Sequence, residues 1–114
     1  MSAKEFSDLE RDPPARVGSM PRALPPELRA YRRTPVFSHE SVPPGLLRDH
    51  TTKTGTWALI HVLNGRLRYQ VPAWGTDVVL TPEQQGVVAP QVVHSVQPLG
   101  EVQFFVEFWS TPDR

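Results

Sequence analysis

The 114-residue sequence predicts an all-β domain, an antiparallel sandwich or barrel of about eight strands behind an irregular N-terminal arm. Three observations carry that expectation. Thirteen prolines, more than twice the usual share of roughly 5%, oppose a helical fold because an interior proline removes a backbone donor and clashes with the preceding turn. From Pro35 onward, short runs of Val, Leu, Ile and aromatic residues are cut by Gly, Pro and Asn at nearly regular intervals. Cysteine is absent, so the core must come from apolar packing, which a single domain of this length can supply.

Residues 1–33 read as the arm, partly disordered or packed on the domain or a partner, and residues 34–114 as the domain. The arm carries seven Lys/Arg and five Asp/Glu with few aliphatics, too little apolar surface for a core of its own. Within it, Ser2-Ala-Lys-Glu5 resembles a capping box for a short helix that Pro13-Pro14 would stop. Pro25-Pro26-Glu27-Leu28-Arg29-Ala30-Tyr31 suits one helical turn, since proline is welcome at a first helical position. The strands are expected at 35–39, 45–52, 56–63, 66–71, 77–81, 86–89, 92–97 and 101–109.

Asn64-Gly65 between two of these runs predicts a type I′ hairpin turn, whose two central residues both need positive φ. That turn would pair Val62 with Leu67 and Ile60 with Tyr69. Alternation then turns Ala58, Ile60, Val62, Leu67, Tyr69 and Val71 inward and Trp57, Leu59, His61 and Leu63 outward. An outward Trp-Leu-His-Leu row is too apolar to leave to water, and it predicts a homodimer packed on that face.

Composition excludes several classes of function. Twelve Lys+Arg balance twelve Asp+Glu, so no bulk attraction to nucleic acid or an anionic membrane is expected. Acids stand near the N-terminus where a signal peptide needs an apolar core, and no run approaches ~18 apolar residues, which predicts a cytoplasmic protein. Without cysteine, a metal has only His, carboxylate and other oxygen ligands to use. Walker, dinucleotide, Ser-His-Asp and helical His-Glu motifs are missing, and the glycines at 45, 55, 65, 75, 86 and 100 fall at expected strand ends.

Four histidines remain to be weighed. His39 reads as a surface or edge residue, and the hairpin register puts His61 outside. His50 shares a face with Leu46, Arg48 and Thr52, and His94 is flanked on its own face by Val92 and Val96, so both are expected to point inward. Two inward imidazoles and a carboxylate recur as a site for iron, zinc or nickel. The carboxylate embedded in the most apolar strand is Glu107, in Phe104-Phe-Val-Glu-Phe-Trp109, where an unpaired charge is costly. Parity places Glu107 outside with Gln103, Phe105 and Trp109, and only a bulge or a sheet covered on both sides would turn it inward.

Several blocks together resemble the TehB/YeaR-like domain family. They are Leu24-Pro-Pro-Glu-Leu-Arg-Ala-Tyr-Arg-Arg-Thr-Pro-Val-Phe37, Val42-Pro-Pro-Gly-Leu-Leu47, His50-Thr-Thr-Lys53, Gly55-Thr-Trp-Ala-Leu-Ile60, Val62-Leu-Asn-Gly65 and Phe105-Val-Glu-Phe-Trp109. The resemblance implies a cupin-like double-stranded β-helix, a jelly-roll sandwich with a pocket in its mouth, and a ligand set at His50, His94 and Glu107. It also implies a stand-alone domain that binds a small ligand, an oxyanion or a divalent metal (zinc, iron or nickel) in a stress or tellurite-resistance-type response. The resemblance does not reach the methyltransferase half of tellurite-resistance TehB, so that activity is not expected to carry over. Where the metal cupins carry two histidines one residue apart, this chain has His50 and Thr52. The alternatives are a metal-dependent cupin enzyme of dioxygenase or isomerase type and a protein-interaction module.

Overall fold

The computed structural model describes residues 24–48 and 50–112. Its strands are β1 (Arg29–Arg33), β2 (Phe37–Ser38), β3 (Trp57–Val71), β4 (Thr76–Leu80), β5 (Gly86–Val88) and β6 (Ser95–Ser110). Among the described residues they form one antiparallel six-stranded sheet in the order β1-β6-β3-β4, with β2 added to β6 and β5 to β3. The all-β expectation holds, and the strand list changes in four places.

The largest change is at Asn64-Gly65. No hairpin forms there; β3 runs straight through, paired to β6 from Trp57–Trp109 to Gln70–Ser95. A type I′ turn needs positive φ at both residues, and here only Gly65 has it, at 82°. Register breaks on either side of the dipeptide, between Val62 and Asn64 and again between Gly65 and Leu67, bend the ribbon into a corner. The glycine is required for a second reason. A Cβ at Gly65 would stand 2.1 Å from the Glu101 carbonyl oxygen of the opposing strand. Gly100, with φ 87°, belongs to the same corner, so the expected strands 92–97 and 101–109 also fuse into one.

Elsewhere, residues 44–47 form a 3-10 turn instead of opening a strand, because Pro43-Pro44 sets φ for a helical first turn. Arg29–Arg33, within the stretch expected as arm, is an edge strand on β6 and follows a tight turn closed by Leu28 N–H donating to the Pro25 carbonyl. The suggested helix after Ser2 lies outside the described residues.

The inward set is as alternation predicted. Ala58, Ile60, Val62, Leu67, Tyr69 and Val71 are all buried, and they join Leu80, Val88, Val96, Val102, Phe104 and Val106 in one core. Outside, Trp57, Leu59 and His61 are half-buried and Leu63 is 48% exposed. Both halves of the bent ribbon therefore turn their alternate residues toward the same interior.

Candidate functional site

One cavity of about 230 Å³ opens beside this core. Its wall is Ala58 and Ile60 of β3, Val88 of β5, and Val96, Phe104, Val106 and Phe108 of β6. Thr34, Phe37, Pro43, Gly45 and Leu46 close it from the segment that crosses the mouth. His50, Thr52 and His94 complete the described lining, so among the described residues no Lys, Arg, Asp or Glu takes part in it.

The two histidines meet because the backbone joins them. His50 N–H donates to the His94 carbonyl at 2.8 Å, and His94 N–H donates back to His50 at 2.9 Å. The loop preceding His94 is pinned as well, since Gln91, in the left-handed region at φ 62°, donates its N–H to the Thr52 carbonyl at 3.1 Å. The rings then meet edge to face with centroids 5.3 Å apart, and Tyr69 stands 6.0 Å behind His94. His94 is only 4% exposed.

Hydrogen bonds define which ring atoms are available. His94 Nδ1 lies 3.0 Å from the Val92 carbonyl, which can only accept, so Nδ1 carries the proton. Burial lowers the His94 pKa, and the neighbouring His50 adds to that, although the bond to Val92 opposes it. A neutral ring protonated at Nδ1 leaves Nε2 as an acceptor. Tyr69 donates its hydroxyl to the Val87 carbonyl at 2.8 Å, and burial pushes its pKa up, so it stays a neutral donor engaged elsewhere.

Glu107 does not share this cavity. It lies on the opposite face of the sheet, where parity placed it, with Oε1 accepting from His61 Nε2 at 3.1 Å and from Trp109 Nε1 at 3.2 Å. Gln85 donates to His61 Nδ1 at 3.1 Å, and the His61 ring stacks on Phe105 at 4.7 Å. Arg33 lies 4.7 Å over the other ring of that stack. The expected ligand set of His50, His94 and Glu107 is thus divided between two faces, because β6 keeps its alternation against β3 through this stretch, and the nearby register shift, between Ala30 and Arg32, falls on β1.

Among the described residues no three His, Asp or Glu side chains converge. Two imidazoles without a carboxylate fall short of the three protein ligands that catalytic zinc sites use. The described residues therefore do not make up a three-ligand metal site. His39 is exposed in a turn, as expected.

Sequence reasoning brought His50 and His94 together and put His61 outside. It missed the role of Trp109 as a donor to Glu107, although the two share a face two residues apart, and it had no signal for Gln85.

Fold and cavity define a small all-β domain built on one bent antiparallel sheet. Its sequence matches the model of the TehB-like domain over residues 32–106, and the chain belongs to that family. It is 34% identical over 80 residues to a probable S-adenosyl-L-methionine-dependent methyltransferase TehB of Haemophilus influenzae strain Rd, a match spanning 66% of this chain and 28% of the relative. The counterpart in strain 10810 matches equally. The chain thus spans less than a third of the curated relatives it matches. The crystal structure of TehB from H. influenzae superposes with a TM-score of 0.68 at 28% identity, covering 75% of this chain and 32% of that one. A crystal structure of an Escherichia coli K12 protein has a TM-score of 0.72 at 20% identity, covering 79% of this chain and 97% of the other, and shares the fold. Among the described residues no helix is long and apolar enough to cross a membrane.

Proposed function

We propose that this TehB-like domain is a cupin-like binding module that holds a small molecule in the cavity between His50, His94 and the β3–β6 wall, in the cytoplasm and in the setting of a tellurite or related stress response. One observation carries the reading: a buried imidazole, His94, and a half-buried one, His50, line a cavity whose remaining described lining is nearly all apolar. A few convergent polar groups in an apolar concavity are what small-molecule sites share. The volume supports it too, since about 150 Å³ of apolar cavity already admits benzene, and this one measures about 230 Å³.

A fragment screen read by amide chemical shifts tests the reading. Binders are expected to perturb Ile60, Val88, His94 and Phe104, and Ala58→Phe, which fills the cavity, is expected to abolish the response. Shifts confined to the outer face would refute it.

For the outer face we propose a second copy of this chain as partner. Leu63 supports this at 48% exposure, with Trp57 and Leu59 beside it. Leu24, Pro25, Pro26 and Leu28 line a cleft with Leu59 and Trp109, so the arm already covers part of that face. Trp57→Glu should give a folded monomer by sedimentation; an unchanged dimer places the contact elsewhere.

A further inference from the structure

The cavity's polar atoms narrow what it can hold. Thr52 Oγ1 donates to the Thr56 carbonyl at 2.8 Å, and Thr34 Oγ1 donates to the Pro35 carbonyl while accepting Val106 N–H at 3.0 Å. Both hydroxyls are committed within the protein. Among the described residues, neither nitrogen of the His50 ring nor Nε2 of His94 has a hydrogen-bond partner. A buried acceptor without a donor carries a desolvation cost, which an incoming O–H or N–H would recover.

Charge narrows it further. With no Lys, Arg, Asp or Glu among the described lining residues, an anion or a cation entering the cavity would lose its hydration and meet no opposite charge from them. Aromatic edges and aliphatic walls, by contrast, match a flat apolar body. Resting on the binding reading above, we infer that the cavity selects a neutral, largely apolar molecule presenting one hydrogen-bond donor to His94 Nε2, a phenol or a comparable aromatic alcohol. Inorganic oxyanions, tellurite included, are then poor occupants.

Titrations with phenol, anisole, benzoate and tellurite at pH 7.5, followed by amide shifts of Ile60, His94 and Phe104, test the inference. Phenol should bind about tenfold more tightly than anisole, the value of roughly one net hydrogen bond, and benzoate and tellurite more weakly than either. In His94→Leu the preference for phenol over anisole should fall to near unity while anisole still binds. The wild-type imidazole ¹⁵N spectrum gives a check that needs no variant: Nε2 of His94 should be the unprotonated nitrogen and should move when phenol is added. Equal binding of phenol and anisole, or a proton on Nε2, overturns the donor inference and leaves the cavity reading standing. Tighter binding of tellurite or benzoate overturns the ligand class. If none of the four perturbs the cavity residues, the inference and the binding reading fall together.

Discussion

Two side-chain pairs, His61–Glu107 and His50–His94, stand on opposite faces of the β3–β6 ribbon and are built in opposite ways. Outside, His61 has both ring nitrogens engaged, by Gln85 and by Glu107, and Glu107 takes a further bond from Trp109. Inside, His94 uses one nitrogen on a backbone carbonyl, and the remaining ring nitrogens of the pair have no hydrogen-bond partner among the described residues. The outer pair is complete without a ligand, so its chemistry is spent on holding the face together. The inner pair is deeper and less satisfied, and that mismatch marks the binding candidate better than the presence of a carboxylate does.

The contrast can be broken most directly through two neighbouring phenylalanines. Phe104 is fully buried in the inner core, and Phe104→Ala should cost about 3–5 kcal/mol in urea unfolding. Phe105, half-buried on the outer face against His61, should cost only about 1–2 kcal/mol on the same change. Equal losses would mean that the two faces are packed alike.

A smaller effect comes from pH. His94 is held below its ordinary value of 6.5 in the fold, so the unfolded chain takes up this proton first. The contribution of the neutral ring is complete above about pH 6.5 and is lost as pH falls from there through the lower folded value, at up to about 1.4 kcal/mol per pH unit. Urea midpoints of the wild type should therefore decline across that window more steeply than those of His94→Phe. Parallel curves would show that His94 titrates as freely in the fold as outside it.

The smallest change is expected at Glu107→Gln, about 0.5–1 kcal/mol, because an amide oxygen still accepts from Trp109 and His61 on a partly solvated face. A loss beyond about 2 kcal/mol would raise the outer pair to a keystone of the fold and sharpen the comparison in the other direction.

How legible all this was in the sequence depends on what each signal encodes. Alternation reports which side a residue faces, and it placed Ala58, Ile60, Val62, Leu67, Tyr69 and Val71 inside correctly while Asn64-Gly65 suggested the wrong partners. A hairpin and a strand bent through two register breaks bury the same residues. What separates them is the approach of the Glu101 carbonyl to Gly65, a contact across 36 positions that local pattern does not record. His94 was legible as an inward residue from Val92 and Val96 at spacing two, whereas His50, between Arg48 and Thr52, carried a weaker signal of the same kind. That Glu107 faces away was legible from parity, and the wish for a third ligand argued against it without a physical basis in the strand.

The long ribbon also sets an order of events during synthesis. Trp57 pairs with Trp109 and Arg29 with Ser110, so the first strands of the sheet find their partner only at the end of the chain. Until residues 95–110 have left the ribosome, β3 has only β4 and β5 to pair with, and its edge toward β6 stays open. Assembly is then a late, concerted step, of the slow kind expected when contacts join distant residues. A nascent chain arrested before Ser95 should be open to protease along β3, and one released past Ser110 should be closed.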